Sequence, residues 1–447
     1  MKNLKVKTCL AVLMLVGCGE VKTLDCDTAE DCALGQACIA ETHTCVTPTE
    51  LTIEIHRSFP YVDGDTHDDA RFVAVQDGDG SFSPVSGTNG VYRVPITSDR
   101  YGIAVACADG NGTGTVEIVQ QTIADGTTYR IACEVSHQTE DLAVTVTNLA
   151  AGQTLHLASY LGREDIVANG TTSLWVLSGM VELYGTLTDS DGQVARIFRI
   201  LGASSGVTID AAVDGAVPEH HALTGTSGGD SFSVGIHRLH GSVQWQNASL
   251  ASSQEYVMLP PALRQADDLY QVRVSDESRA HTRMVAVGGP LEFELPTLLA
   301  ASPATLVTTP FVHTVHSFSA TPPVLPLQEY RIYSQQSSSA IYRVWQATLS
   351  SGWIAEAPLV TYEFPDLSAI PGFADVALLD GHQIDTSITR TERTSLVPVD
   401  GGEMTTSGSA STVGEDAATD HGARRDRDLR AASLRSRDPR PRSSRPD

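Results

Sequence analysis

Eight cysteines, two acidic loops and two histidine pairs are the residues of this 447-residue chain whose types and spacing could do chemistry. Cys26, Cys32, Cys38 and Cys45 have five, five and six residues between them, and Cys107 and Cys133 follow. Together they form an even set beyond Cys9 and Cys18, which suits disulfides in an oxidising compartment. A structural zinc site would use closely spaced cysteine pairs, and none occurs even with His43 nearby. Pairing within 26–45 stays open. Tyr101, Ile103 and Val105 share a strand face with Cys107, and Tyr129 and Ile131 share one with Cys133. Two such strands can be bridged across a core, so Cys107 is expected to pair with Cys133.

Asp63, Asp65, Asp68 and Asp69, and then Asp77 and Asp79 in Asp77-Gly78-Asp79-Gly80, are the calcium candidates, since that ion takes about six to eight oxygens from flexible loops. Neither stretch has the full EF-hand pattern, and hydrated turns are the competing reading. His237-x-x-His240 and His313-x-x-His316 would share a face on a helix, but on strands they point opposite ways and read as surface or turn histidines. Gly225-Thr226-Ser227-Gly228-Gly229 fits the nucleophile pattern G-x-S-x-G, which needs a strand-to-helix turn. Residues 231–237 read as a strand instead, so this stretch is taken as a linker. No catalytic residue is assigned, no cofactor is called for, and the chain is read as not an enzyme.

The elements that must position these residues are strands. From residue 51 the apolar pattern has period two, broken by Asp-Gly and Asn-Gly turns every 8 to 12 residues or so. Leu142–Val146, Val194–Ile200, Val243–Trp245, Tyr270–Val274, Tyr342–Trp345 and Val360–Phe364 are predicted strands, and Pro261–Asp268 is the best helix candidate. The fold class is all-β: two or three β-sandwich-like domains behind a small disulfide module, with a disordered C-terminal tail. Boundaries are expected at 50–135, 138–215 and 230–400, with the Gly, Ser and Thr-rich and then Arg-rich stretch 401–447 as the tail. Trp175, Trp245, Trp345 and Trp353 lie in or beside apolar strand patterns and are expected in the core, with sugar stacking as the other use of such rings.

The chain carries a formal charge of −24. Setting aside three lysines in the first 17 residues and the end from 421 (nine Arg, four Asp, net +5) leaves −32 on residues 18–420. Such a field repels phosphate backbones and excludes nucleic acid as a natural partner.

The start has its own signature. Lys2, Lys5 and Lys7 precede an apolar run, Leu10 to Val16, which closes in Leu15-Val16-Gly17-Cys18. That run is far shorter than the roughly 20 residues a spanning helix needs. The motif resembles the lipobox of bacterial lipoproteins. The resemblance implies a signal peptide at 1–17, acylation of Cys18, and a mature chain anchored by lipid at 18–49 together with the cysteine module. It also implies the cell envelope, and Gly19 after the cysteine favours the outer membrane. Cys32-Ala33-Leu34-Gly35-Gln36-Ala37-Cys38 is similar to the disulfide modules behind the lipobox of myxobacterial envelope proteins, and Phe72–Gly80 with Tyr101–Cys107 resembles segments of uncharacterised envelope proteins. These likenesses bring no known activity; with no catalytic motif in the chain, the expected role is that of a binding or structural protein that presents β domains to envelope proteins or glycans. An envelope hydrolase with a site in the third domain is the alternative.

Overall fold

The computed structural model describes residues 26–413, apart from 34, 40–41, 57–65, 109–112, 134–138, 178–181, 203–205, 226–228, 239–240, 250–253, 339–340, 355–356 and 396–402. Among these the period-two stretches become strands, and the chain is nearly all β. Pro261 starts only a short 3-10 turn, Pro261–Leu263, because Arg264 already has extended dihedrals. The α-helix among the described residues is the single turn Ser351–Ile354, and the other helical pieces are 3-10 turns.

At the N-terminal end of the described chain, Ala37–Ile39 and Thr44–Val46 form a hairpin. Disulfides Cys26–Cys38 and Cys32–Cys45 tie it to the preceding turn. So small a unit buries little apolar surface, and cross-links substitute for a core.

The main element is a twelve-stranded sheet. From one edge its strands are Gly241–Ser249, Ser231–Arg238, Leu269–Ser275, Arg279–Val285, Glu403–Val413, Ile384–Arg393, Leu327–Ser337, Tyr342–Ser350, Thr113–Thr122, Arg100–Ala108, Ala70–Asp77 and Ser83–Pro84. Neighbours are antiparallel except where Thr113–Thr122 runs parallel to Tyr342–Ser350, with Val116 opposite Trp345. The stretches 50–135 and 230–400, separate in the sequence reading, therefore share one sheet. Glu403–Val413 lies between Ile384–Arg393 and Arg279–Val285, bonded to both. The sequence reading placed these eleven residues in the tail. Their Ser, Thr and Gly side chains bury little area, and ladder hydrogen bonds on both edges hold the strand in place of a hydrophobic face. The rest of the expected tail, 414–447, lies outside the described residues.

One face of this sheet carries two cores. The larger includes Tyr330, Ile332, Trp345, Ala347, Leu349 and Ile388, covered by a three-stranded sheet of Thr305–Val307, His313–Ser319 and Leu359–Glu363 and by the turns after it. The second is built on Phe232, Val234, Val272, Val274 and Trp245. On the opposite face, at the far end, a sheet of Val91–Ile96, Thr49–His56 and Thr128–Ala132 packs Leu51, Ile53 and Ile55 onto Tyr101, Ile103 and Val105. Fully burying one such side chain contributes about 1.5–3 kcal/mol. Arg100–Ala108 is thus covered on both faces. Its second face is Gly102, Ala104 and Ala106, and a Cβ at Gly102 would lie 2.8 Å from the Phe82 ring.

Residues 139–210 form a sandwich. One layer is Gly170–Leu177, Thr139–Thr147 and Val207–Asp210; the other is Arg163–Ile166, Thr154–Ala158, Glu182–Thr188 and Val194–Leu201. Leu142, Val144, Leu174, Val176, Leu183 and Phe198 fill the space between them. The second layer uses its other face too, sending Tyr184 and Ile197 into the core around Trp245.

Cys107 and Cys133 join the two layers of the first stretch across their core, with Cα atoms 5.2 Å apart, as the shared faces implied. Replacing both by serine in the full chain should lower unfolding free energy by about 3 kcal/mol, the loop-closure value for this separation. Urea unfolding of the two forms checks this, and equal midpoints would rule the contribution out.

Candidate functional site

The acidic candidates meet internal donors. The carboxylate of Asp77 accepts from the Thr97 amide (2.9 Å) and hydroxyl (2.7 Å) and from the Ser98 amide (2.9 Å). Burial opposes its charge, but these donors outweigh burial and hold its pKa below the ordinary value. Asp79 pairs with Arg100. Gly78 allows the turn between them, at φ 60° and with Ser98 Oγ 2.7 Å from where a Cβ would stand. The turn is a hydrogen-bonded clamp between Ala70–Asp77 and the loop before Arg100. Asp68 accepts from the Gly90 amide at 2.5 Å, and Asp69 meets His67 Nδ1 at 3.0 Å. Asp63 and Asp65 lie outside the described residues, as do Cys18, Ser227 and His240. In the cysteine module the sulfurs of Cys26, Cys32 and Cys38 approach one another within 4.8 Å, but all three are in disulfides and offer no thiolate.

His313 and His316 point to opposite sides of their strand, yet neither is a surface residue: they are 0% and 1% exposed. His316 lies on the inner side of the strand with Thr314 and Phe318, whereas His313, at the start of the strand, is covered by the Phe311 ring stacked on it at 4.4 Å. His313 meets the Phe311 carbonyl and Glu363, each at 2.9 Å. His316 Nε2 lies 2.8 Å from Thr314 Oγ1, which lies 2.6 Å from Ser334 Oγ. A serine linked to an imidazole invites a nucleophile reading. Ser334 and Thr314 are 0% exposed, however, so no substrate reaches them, and no carboxylate hydrogen-bonds His316 among the described residues. The chain is a polar tie between the cover and the large sheet.

Burial pushes the His316 imidazole down to about 4. Its folded value therefore lies below the ordinary histidine value, so the unfolded chain takes a proton first as pH falls. The associated stability is complete above about pH 6.5 and is lost between there and about pH 4, roughly 3 kcal/mol in all. Melting curves from pH 7 to 4 should show a steeper fall for the native chain than for His316→Gln; parallel falls would count against this histidine.

The tryptophans divide. Trp245 and Trp345 are core residues, 2% and 0% exposed, whose indole N–H groups donate to the carbonyls of Val257 (3.1 Å) and Val376 (2.9 Å). Trp353 is partly buried, with the Arg100 guanidinium 5.1 Å from its ring centre. Trp175 does not fit the expectation of a core position: 55% of it is exposed. The reason is local. Leu174 and Val176 face the sandwich core, so period two turns Trp175 outward.

Around Trp175 the outer face of its sheet is small and hydroxylated. Asp141 stands opposite it, Ala143 opposite Ser173, and Thr145 opposite Thr171. Thr145 also pairs with Thr208 on the third strand. The two threonine hydroxyls of the Thr145–Thr171 pair are 2.9 Å apart. The strand end is fixed from behind, since Ser159 Oγ donates to the Trp175 carbonyl at 2.5 Å while accepting the Leu161 and Gly162 amides. An exposed indole therefore projects, from a strand end whose backbone is fixed, beside a row of short polar groups. Such a surface can stack on an apolar ring face and hydrogen-bond its edges.

No protein-family model matches the chain, and none of the curated proteins matches it.

Proposed function

We propose that this chain is a lipid-anchored, non-catalytic binding protein of the bacterial cell envelope, held at the outer membrane, that presents its β domains to envelope glycan. The observation that carries the reading is Trp175, a large aromatic ring left 55% exposed on a sheet face where Asp141, Ala143, Thr145, Ser173 and Thr171 surround it. Scattered exposed valines such as Val167 and Val324 are ordinary, whereas a tryptophan on a rigid strand is the residue type that dominates binding energy at contact surfaces. Sugar rings offer an apolar face to the indole and hydroxyls to Asp141, Ser173 and Thr171.

Anchoring is supported by Leu15-Val16-Gly17-Cys18 and the basic residues before it. No described helix is long and apolar enough to cross a membrane. One acyl chain binds a bilayer only marginally, and the two or three chains of a lipoprotein would make attachment lasting. The non-catalytic part of the reading is supported by the closure of Ser334, Thr314 and His316 to solvent.

Two measurements test the two halves. Cys18→Ala should move the protein from the membrane pellet to the salt-washed soluble fraction, and continued sedimentation with membranes would remove the anchor. Trp175→Ala should lower retention on insoluble polysaccharide from the host envelope at least tenfold, equal to about 1.4 kcal/mol. Its melting temperature should stay close to that of the native chain, because the ring is exposed. Equal retention of both proteins would remove the glycan platform.

A further inference from the structure

Most arginines among the described residues are matched to acids. Arg199 pairs with Asp268 and Glu182, Arg264 with Glu219, Arg283 with Glu403, and Arg393 with Glu329. Arg196 and Arg343 donate to backbone carbonyls. Arg273 departs from this. It is partly buried on Leu269–Ser275, in the interior of the large sheet, and has neither an ion pair nor a hydrogen bond among the described residues. Arg71 also lacks them, but it is exposed to water.

The placement of Arg273 follows from the strand period. Tyr270, Val272 and Val274 enter the core around Trp245, which turns Gln271, Arg273 and Ser275 to the outer face of the large sheet. Directly opposite Arg273 are Ser233 on one neighbour and Thr282 on the other. Thr282 is 2% exposed, and its hydroxyl has no hydrogen-bond partner. A partly desolvated guanidinium thus stands beside an unsatisfied buried hydroxyl. Arginine cannot discard its proton to relieve the cost, and burial already presses its pKa below the ordinary value. The Thr282 hydroxyl next to it, buried without a partner, carries a penalty of its own. Both costs disappear if one acceptor-rich anion lies between them, because the guanidinium fork binds two oxygens of a planar or tetrahedral oxyanion and a hydroxyl can donate to a third. The long-range field of an acidic chain works against anions, so this cation is the local feature that would reverse it.

We propose that Arg273, flanked by the hydroxyls of Thr282 and Ser233, binds an oxyanion, the carboxylate or phosphate group of a ligand lying across the outer face of the large sheet. This face is distinct from the one that carries Trp175, so the site stands or falls apart from the glycan platform.

Isothermal titration calorimetry of the full chain tests it, with inorganic phosphate and glucuronate as probes at constant ionic strength in chloride. A single saturable event per chain is expected with at least one probe, and the probe that binds identifies the group as phosphate or carboxylate. Arg273→Gln should weaken binding at least tenfold and, without probe, melt at or above the native temperature because a desolvated charge has gone. Thr282→Val keeps the side-chain shape and should weaken binding about threefold to tenfold, the range of a single hydrogen bond. Absence of saturable heat from both probes would overturn the proposal. So would unchanged affinity in Arg273→Gln, or a lower melting temperature of that variant in probe-free buffer.

Discussion

The arrangement of the whole molecule depends on one parallel pairing, Thr113–Thr122 against Tyr342–Ser350. It brings together strands more than two hundred residues apart in sequence and converts two antiparallel blocks into a single twelve-stranded sheet. Trp345 then faces the same core as Val116 and Ile118, so the block that ends near residue 135 has its second face covered by the turns around Phe364 and Phe373. Without that pairing the small face of Arg100–Ala108, made of Gly102, Ala104 and Ala106, would be open to water. Closing so long a loop is entropically costly, and the covered area on both sheet faces is what offsets it.

Charge burial makes a second tie. Arg199, 2% exposed at its side chain, donates from Nη1 to Asp268 and the Leu263 carbonyl and from Nη2 to Glu182 and Gln265. Tyr270 donates to the same Asp268 carboxylate, and the guanidinium sits over the Tyr184 ring. The sandwich at 139–210 is thereby fixed to the block beyond residue 255. Buried pairs of this kind add little net stability over apolar packing, but losing one member leaves an isolated charge, so they specify how the layers meet. Glu392 works likewise, 2% exposed and accepting the amides of Val324 and Leu325 beside Arg390. Against this pattern of matched charge, the isolation of Arg273 stands out.

The all-β class, the individual strands and the Cys107–Cys133 bridge were legible because period two and the identity of shared faces are local properties. Tyr101, Ile103, Val105 and Cys107 show their common face in seven consecutive residues. Three features were not legible in the same way. Glu403–Val413 has the composition of a linker, and only its neighbours' free edges make it a strand. His313 and His316 were assigned correctly to opposite faces, but alternation does not say whether the second face is also covered. Trp175 has the hydrophobicity of a core residue but the phase of a surface one, and Leu174 and Val176 on either side determine which way it turns.

The sequence by itself therefore determined strand content, turn positions, the faces of residues along each strand and, through Leu15-Val16-Gly17-Cys18, the expectation of a lipid anchor. These depend on interactions between residues a few positions apart. Only the tertiary structure decided that blocks 50–135 and 230–413 share one sheet, that Cys26 pairs with Cys38 and Cys32 with Cys45, and that Trp175 and Arg273 are left with unmatched surfaces. Strand order and charge matching depend on which distant edges and side chains meet, and neither hydrophobic period nor composition carries that information.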